Sequence, residues 1–315
     1  MRALPLLMAL GALSLPLSNA SAWEDAGHMQ VAAVAYYRLT PDVRAKVDAL
    51  IKLNPFYEGW TAGWPSGQIA EFAFVRAATW PDDIKSPGLG YTDVGDKATA
   101  PDAGRNIGYQ DFLMHKYWHF TGDGFSTDGT AVVPPDPVNA LTQIKALTAG
   151  LSPASGLPDG VRSYDLVWLV HLVGDIHQPL HTEGRFSQAY PGGDQGGNKE
   201  AVIPANGMTT NLHAYWDALL GVYATPQIAI ADALVNPATK LPDPDPNFAS
   251  IADPAAWVAE GKAFAENFAY GEPVRSGPRP YMLDRQYETN ARMIARNQAA
   301  LAGARLANLI NEALK

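Results

Sequence analysis

Residues 164–181 read YDLVWLVHLVGDIHQPLH, and the periodicity of this stretch decides the fold. From Tyr164 to Ile176 its apolar residues recur at i, i+3 and i+4, which predicts a helix. His171 and Asp175 stand four residues apart within it. At about 100° per residue their side chains lie about 40° apart around the axis and one turn along it, so both can grip a single cation. Pro179 disfavours helix at Gln178 and re-aims the chain, which directs His181 away from the continuation of that helix.

The same periodicity extends in both directions along the chain. It predicts helices over Met29 to Leu39, Thr40 to Leu53, Gly67 to Trp80, Asn139 to Thr148, Leu212 to Val222, Pro254 to Phe268 and Arg285 to Leu314. Thr40 before Pro41 and Asp253 before Pro254 are plausible caps. Alternating strand patterns are nearly absent. Polar Gly/Pro/Asp stretches at 86–111, 122–137, 184–210 and 236–252 read as surface loops, and LPDPDPN at 241–247 reads as an extended connector. No internal repeat is visible. The expectation is an all-α chain with a single mainly helical domain and long surface loops.

Residues 1–22 have a different character. One Arg, an apolar stretch from Leu4 to Leu17 interrupted by Pro5 and Pro16, and a terminal Ala20-Ser21-Ala22 match a secretory leader with its cleavage site. The expected product is an exported chain of residues 23–315, periplasmic or secreted, without a membrane anchor and monomeric. Cysteine is absent, so no disulfide can staple it. The formal net charge of −9 becomes more negative without the leader, which carries Arg2 and no acid. Such a surface repels polyanions, and no Lys/Arg run offers a stripe for tracking phosphates. Binding of a phosphate ester therefore requires a locally positive centre such as bound metal.

Seven histidines occur in the chain. A second H-x-x-x-D pair, His213 with Asp217, repeats the His171/Asp175 spacing. Imidazole nitrogen and carboxylate oxygen at that spacing suit Zn²⁺, which takes such ligands at about 2.0–2.2 Å. One pair alone is as readily a helix-surface ion pair. Two pairs, with His181 in a Pro-bent turn beside one of them, point to a multinuclear site. TWPDDIK adds Asp82 at the end of a helix, and KYWHFTG adds His119. His177, two residues from Asp175, points off the ligand face and reads as a surface residue or as support behind the ligands. His115 reads as a loop histidine.

In order, these residues are Trp23-x4-His28, W-P-D at Asp82, W-H-F at His119, H-L-V-G-D-x-x-Q-P-L-H from His171, GGN at 196–198, and N-L-H-x-x-W-D ending at Asp217. The series resembles the zinc-dependent single-strand-specific nucleases and 3′-nucleotidases, which share a fold with bacterial zinc phospholipase C. The resemblance implies three zinc ions per chain. Asp82, His119, His171 and Asp175 would hold the first, and His181, His213 and Asp217 the second. Trp23, through its α-amine and carbonyl, would hold the third with His28 and Asp175. It also implies that Asp82 orients the attacking water, and Lys85 matches a position where the family places a basic side chain on the phosphate. Phe120 can serve as a base-stacking platform or as core packing. The implied substrates are single-stranded RNA or DNA and 3′-nucleotides, cleaved at the P–O3′ bond to leave 5′-phosphates. Two departures bear on specificity: Thr121-Gly122 stands where the fungal pattern has an acid contacting the base edge, and 86–111 is a longer insertion.

Two other readings remain at this level. A zinc phospholipase C would use the same metals, but that branch usually has Glu in place of Asp217. A non-catalytic zinc-binding protein would tend to carry repetitive His tracts, which this chain lacks.

Overall fold

The computed structural model describes residues 23–315, so the expected leader at 1–22 lies outside the described residues. The helices are α1 (Asp25–Arg38), α2 (Pro41–Ile51), α3 (Tyr57–Thr61), α4 (Ile69–Ala77), α5 (Trp80–Asp83), α6 (Ala140–Leu151) and α7 (Asp159–Asp175). There follow α8 (Pro179–Thr182), α9 (Leu212–Asp217), α10 (Pro226–Leu234), α11 (Pro246–Ala249), α12 (Pro254–Phe264) and α13 (Arg285–Ala313).

α7 is the centre of the fold because its sequence is apolar almost all round. A helix without a polar face has to be covered on every side. Every residue from Ser163 to Asp175 is buried, and α6, α2 and α13 pack around it. α1, itself buried from Ala26 to Tyr36, is covered by α13, α10 and α4. The two helices also touch each other, which brings His28 of α1 to the ligand face of α7.

Local chemistry explains where the helices depart from the expected spans. The span expected over Gly67 to Trp80 is split, with α4 ending at Ala77 and α5 starting at Trp80. Pro81 has no N–H to continue the first helix but suits the first turn of the next. The helix expected over Leu212 to Val222 ends at Asp217, followed by a 3₁₀ turn to Leu220 that stops at Gly221 with φ 104°. α12 ends at Phe264 and passes into a π-helical turn over Ala265–Ala269.

The stretches expected to be surface loops carry more structure than that. β1 (Asp123–Ser126) pairs in parallel with β2 (Glu183–Phe186). β3 (Ala201–Ile203) lies between antiparallel β4 (Thr210–Asn211) and parallel β5 (Tyr281–Met282). Strands of two to four residues are too short for alternation to show in a sequence. Within 184–210, Asp194, Gly196, Gly197, Glu200 and Val202 are buried. Buried Arg185 donates to Glu200 and to the carbonyl of Val274, which ties this segment to the C-terminal third of the chain.

Two buried contacts give measurable expectations. A Cβ at Gly303 would lie 2.5 Å from Val34 Cβ and 2.8 Å from the Val31 carbonyl oxygen, so α13 can approach α1 only because it has glycine there. Gly303→Ala is expected to cost about 1–3 kcal/mol, as overpacking does, and to lower the calorimetric Tm by several degrees. An unchanged Tm would show that the helices part freely. Asp165, buried in α7 and accepting from Asn106, has its carboxyl pushed up to about 7 by burial. Its folded-state value exceeds the unfolded one, so the folded state holds the extra proton and stability falls as pH rises from about 4 to about 7. Asp165→Asn should therefore gain Tm relative to the parent protein between pH 5 and pH 8. A constant difference across that range would remove Asp165 from the pH dependence.

Candidate metal centre

Five other pieces of chain converge at the end of α7. His171 and Asp175 lie on its last turn, and His28 stacks on the His171 ring at 3.9 Å from α1. α5 presents Asp82, with Lys85 just beyond it. His119 closes the 3₁₀ turn Lys116–His119, which begins after left-handed His115 at φ 46°. Pro179 starts α8 after a break at Gln178, as the bend in the sequence predicts, and delivers His181. α9 supplies His213 and Asp217. All these histidines and Asp175 and Asp217 are buried.

The donor atoms fall into three groups that could each hold a metal ion: His28 with His171 and Asp175, Asp82 with His119 and His171, and His181 with His213 and Asp217. Asp175 reaches two of these groups. Its Oδ1 lies 3.3 Å from His28 Nε2, and its Oδ2 lies 3.0 Å from His119 Nδ1 and 3.3 Å from His171 Nε2. Trp23 is fully buried beside them, its indole N–H donating to the carbonyl of Gly174 at 3.1 Å. The backbone N–H of Glu24 donates to the carbonyl of Asp217 at 3.1 Å. A Cβ at Gly27 would lie 2.6 Å from Trp23 Cβ, and one at Gly174 would lie 3.0 Å from His28 Nδ1. Both glycines make room for the N-terminal segment.

Whether the donors fit metal follows from their outer hydrogen bonds. His171 Nδ1–H donates to Ala78 O at 2.7 Å, His181 Nδ1–H to His119 O at 2.5 Å, and His213 Nδ1–H to Gly196 O at 2.7 Å. A neutral imidazole has one N–H, so in the neutral form that ligation requires Nε2 of each is a bare lone pair. The Nε2 atoms of His181 and His213 then face each other at 3.0 Å, two acceptors with no proton between them. A positive charge between them, a metal ion or a shared proton, makes that approach favourable. His28 Nδ1, His28 Nε2, His119 Nε2 and Asp175 Oδ1 are buried without hydrogen-bond partners, and such atoms are costly unless something coordinates them.

The electrostatics agree. Burial, with Lys85 next, pushes His119 down to about 3, and burial with His213 pushes His181 down to about 4, so both stay neutral as ligation requires. Asp217 is raised well above the usual carboxylate range, chiefly by burial, the direction expected of an acid that lacks a neighbouring cation. For Asp82 burial acts upward, but Lys85 and the surrounding histidines outweigh it and hold the carboxyl below its ordinary value. Lys85 Nζ sits 2.6 Å from Asp82 Oδ1.

A groove of about 690 Å³ opens on His181 and His213. Phe120, 38% exposed, lines it with Val133, Pro134 and Phe186. The ring is therefore part of a cavity wall rather than of the core.

The structure sharpens the readings of two histidines. His115 lies in a connecting segment but is buried, stacked face to face on Trp118 at 3.8 Å between Asp96 and Asp111. It anchors the 86–111 insertion. His177 is not at the surface: its Nδ1 donates to Val173 O, and its Nε2 accepts from Arg305 at 3.0 Å. Burial and the Arg305 charge push it down to about 3. It supports the turn that follows Asp175.

Residue-type spacing missed the groups that aim the ligands. Gln178 donates to Asp217 Oδ1 at 2.7 Å and accepts from the N–H of Leu180. A polar amide just before a proline in a buried stretch was the available signal. The carbonyls of Ala78, His119 and Gly196 left no trace in side-chain type. Gly196 alone is marked, by the glycine-rich run at 192–197.

The helical fold and the buried histidine–aspartate donor set define a class of mainly helical proteins with clustered side chains that could hold metal ions. Within that class the chain belongs to the S1/P1 nuclease family, whose model matches residues 23–315. It is similar to Endonuclease 3 of Arabidopsis thaliana, with 29% identity over 205 residues, 65% of this chain and 56% of that protein. It is also similar to Nuclease S1 of Aspergillus oryzae, with 25% identity over 218 residues, 68% of this chain and 60% of that protein. The matches thus span less than two thirds of the length of these curated relatives.

Gly196 tests the aiming of His213. It sits at φ 60°, and a Cβ there would lie 2.5 Å from Leu180 O and 3.2 Å from His213 Nδ1. Gly196→Ala is expected to weaken zinc binding at the His181/His213/Asp217 group roughly 10–100-fold, as loss of a ligand's supporting bond does, with helix content by circular dichroism unchanged. Undiminished affinity in a zinc titration would show that this carbonyl does not set the ring.

Proposed function

We propose that the protein is a zinc-dependent nuclease and 3′-nucleotidase that hydrolyses the P–O3′ bond of single-stranded nucleic acid and leaves 5′-phosphates. The facing lone pairs of His181 and His213 at 3.0 Å, lining a groove of about 690 Å³, support this most directly. Family membership supports the substrate class.

In this reading three zinc ions are bound. Asp82, His119, His171 and Asp175 hold one, His181, His213 and Asp217 a second, and His28 and Asp175 a third together with the α-amine and carbonyl of Trp23. When bound, the metals supply the concentrated positive charge and Lewis acidity that phosphodiester hydrolysis needs, and that an acidic chain without a basic stripe otherwise lacks. Asp82 accepts a hydrogen bond from the attacking water and orients it toward phosphorus. Lys85, held against Asp82, pairs with a non-bridging phosphate oxygen. Phe120 stacks the base in the groove, with Phe186 and Val133 closing the pocket around it. Water attacks phosphorus and loses a proton as the new P–O bond forms, the P–O3′ bond breaks, and the 3′-oxygen takes up a proton from solvent and leaves as a hydroxyl.

The Trp23 α-amine exists only once a leader ending at Ala22 has been removed, so export and activation coincide in this reading. The acting species is a monomeric, periplasmic or secreted protein. Among the described residues no helix is long and apolar enough to cross a membrane.

The processed protein should bind about three zinc ions per chain and hydrolyse single-stranded DNA, RNA and 3′-AMP. A chelator should abolish hydrolysis and lower Tm, and added zinc should restore both. Asp175→Ala should lose more metal than Asp217→Ala, because its carboxylate spans two donor groups. An extra residue before Trp23 should remove one metal and most activity together. Hydrolysis that survives chelation with metal content near zero would refute the reading.

A further inference from the structure

The groove beside His181 and His213 has a charge pattern unlike that of a phosphate channel. Three carboxylates line it, Asp123, Asp136 and Glu183, against a single lysine, Lys116. That lysine is itself paired with Asp93 at 2.8 Å. Lys262 lies 3.6 Å from Asp123 and 3.9 Å from buried Glu183, so one cation serves both. Asp136 differs: it is exposed, and among the described residues its carboxylate takes part in no hydrogen bond or ion pair. A carboxylate there repels phosphate. What it can do is accept from a neutral N–H donor.

The backbone of Asp136 is also held near that of the stacking residue. Both hang from the N-terminus of α6, where Asn139 and Thr142 form a reciprocal capping box. The N–H of Ala140 donates to Phe120 O at 3.0 Å, and Asn139 Nδ2 donates to Asp136 O at 2.9 Å. Gly122, at φ 75°, fills the space between: a Cβ there would lie 3.9 Å from the Phe120 ring and 3.9 Å from Pro135 Cα. Residue 122 contributes no functional group to this wall, which leaves its polar character to Asp136 and its neighbours.

Nucleobases differ at the edge such a wall would meet. Adenine, cytosine and guanine carry an exocyclic amino donor, whereas uracil and thymine have a carbonyl oxygen at the corresponding position and only the N3–H between two carbonyls as a donor, which a carboxylate approaches less favourably. We propose that Asp136 is the base-selecting residue of the groove: a base stacked on Phe120 donates its exocyclic amino group to the Asp136 carboxylate, so amino-bearing bases are preferred to uracil and thymine. This inference rests on the nuclease reading above.

The test compares kcat/KM for 3′-AMP and 3′-UMP within each protein, so that a general loss of rate cancels. The zinc-loaded parent protein should favour 3′-AMP about tenfold, the worth of one hydrogen bond to a charged group at an open site. D136A and D136N should bring the ratio close to one, and D123N should leave it near the parent value. An unchanged ratio in both Asp136 variants overturns the proposal while leaving the nuclease reading intact. Loss of the ratio in D123N alone also overturns it. A fully loaded parent protein that cleaves neither nucleotides nor oligonucleotides overturns the nuclease reading itself. Preferential hydrolysis of p-nitrophenylphosphorylcholine, lost in D136A, would instead assign the carboxylate to a quaternary ammonium group and overturn base selection.

Discussion

The structure depends on three hydrogen bonds that look minor: the Nδ1–H groups of His171, His181 and His213, each given to a backbone carbonyl. They fix the tautomer of each ring and leave a bare Nε2 aimed inward. Without a cation this arrangement is unfavourable, since lone pairs crowd one another and unpaired acceptors lie buried. The rest of the fold holds it together. α7 is buried along its last three turns, so the rings cannot swing to solvent, and the covering helices bring His28 and His213 in from distant parts of the sequence.

The carbonyls that receive these protons come from places where regular structure stops. Ala78 lies in the break between α4 and α5, His119 ends a 3₁₀ turn, and Gly196 sits in a left-handed loop. Carbonyls inside a helix are already committed to their own ladder, so a ligand has to be oriented from a terminus or a turn. This is why the split before Pro81 and the glycine run at 192–197 matter to the centre. Each interruption of a helix frees a carbonyl at the point where a ring needs one.

How much could be read in advance follows the same division. The H-x-x-x-D spacing, the bend at Pro179 and the core character of 164–176 depend on periodicity and residue type, and the structure places these residues together. α1 reaches back to Asp25, further than the expected start at Met29, so His28 is helical. What stayed hidden depends on long-range contact. His115 looked like a loop residue because its partners Asp96 and Asp111 are spread through an insertion with no periodicity. For His177 the choice between surface and support stayed open because Arg305 lies 128 residues away. The paired strands β1 and β2 are too short to show alternation, yet they help frame the groove.

Arg305 ties these observations together. Its guanidinium is buried and shared among His177, Glu260 and the carbonyl of Phe248, so the turn following Asp175 is held by a residue of α13. Gly303, two residues away, lets the same helix close against α1 and thus against His28. A chain emerging from its N-terminus exposes the ligands of α1, α7 and α9 well before the helix that clamps two of them. Until α13 docks, those donors are attached to a framework that can still rearrange. If these donors hold metal as proposed, tight binding belongs to the finished fold rather than to the nascent chain.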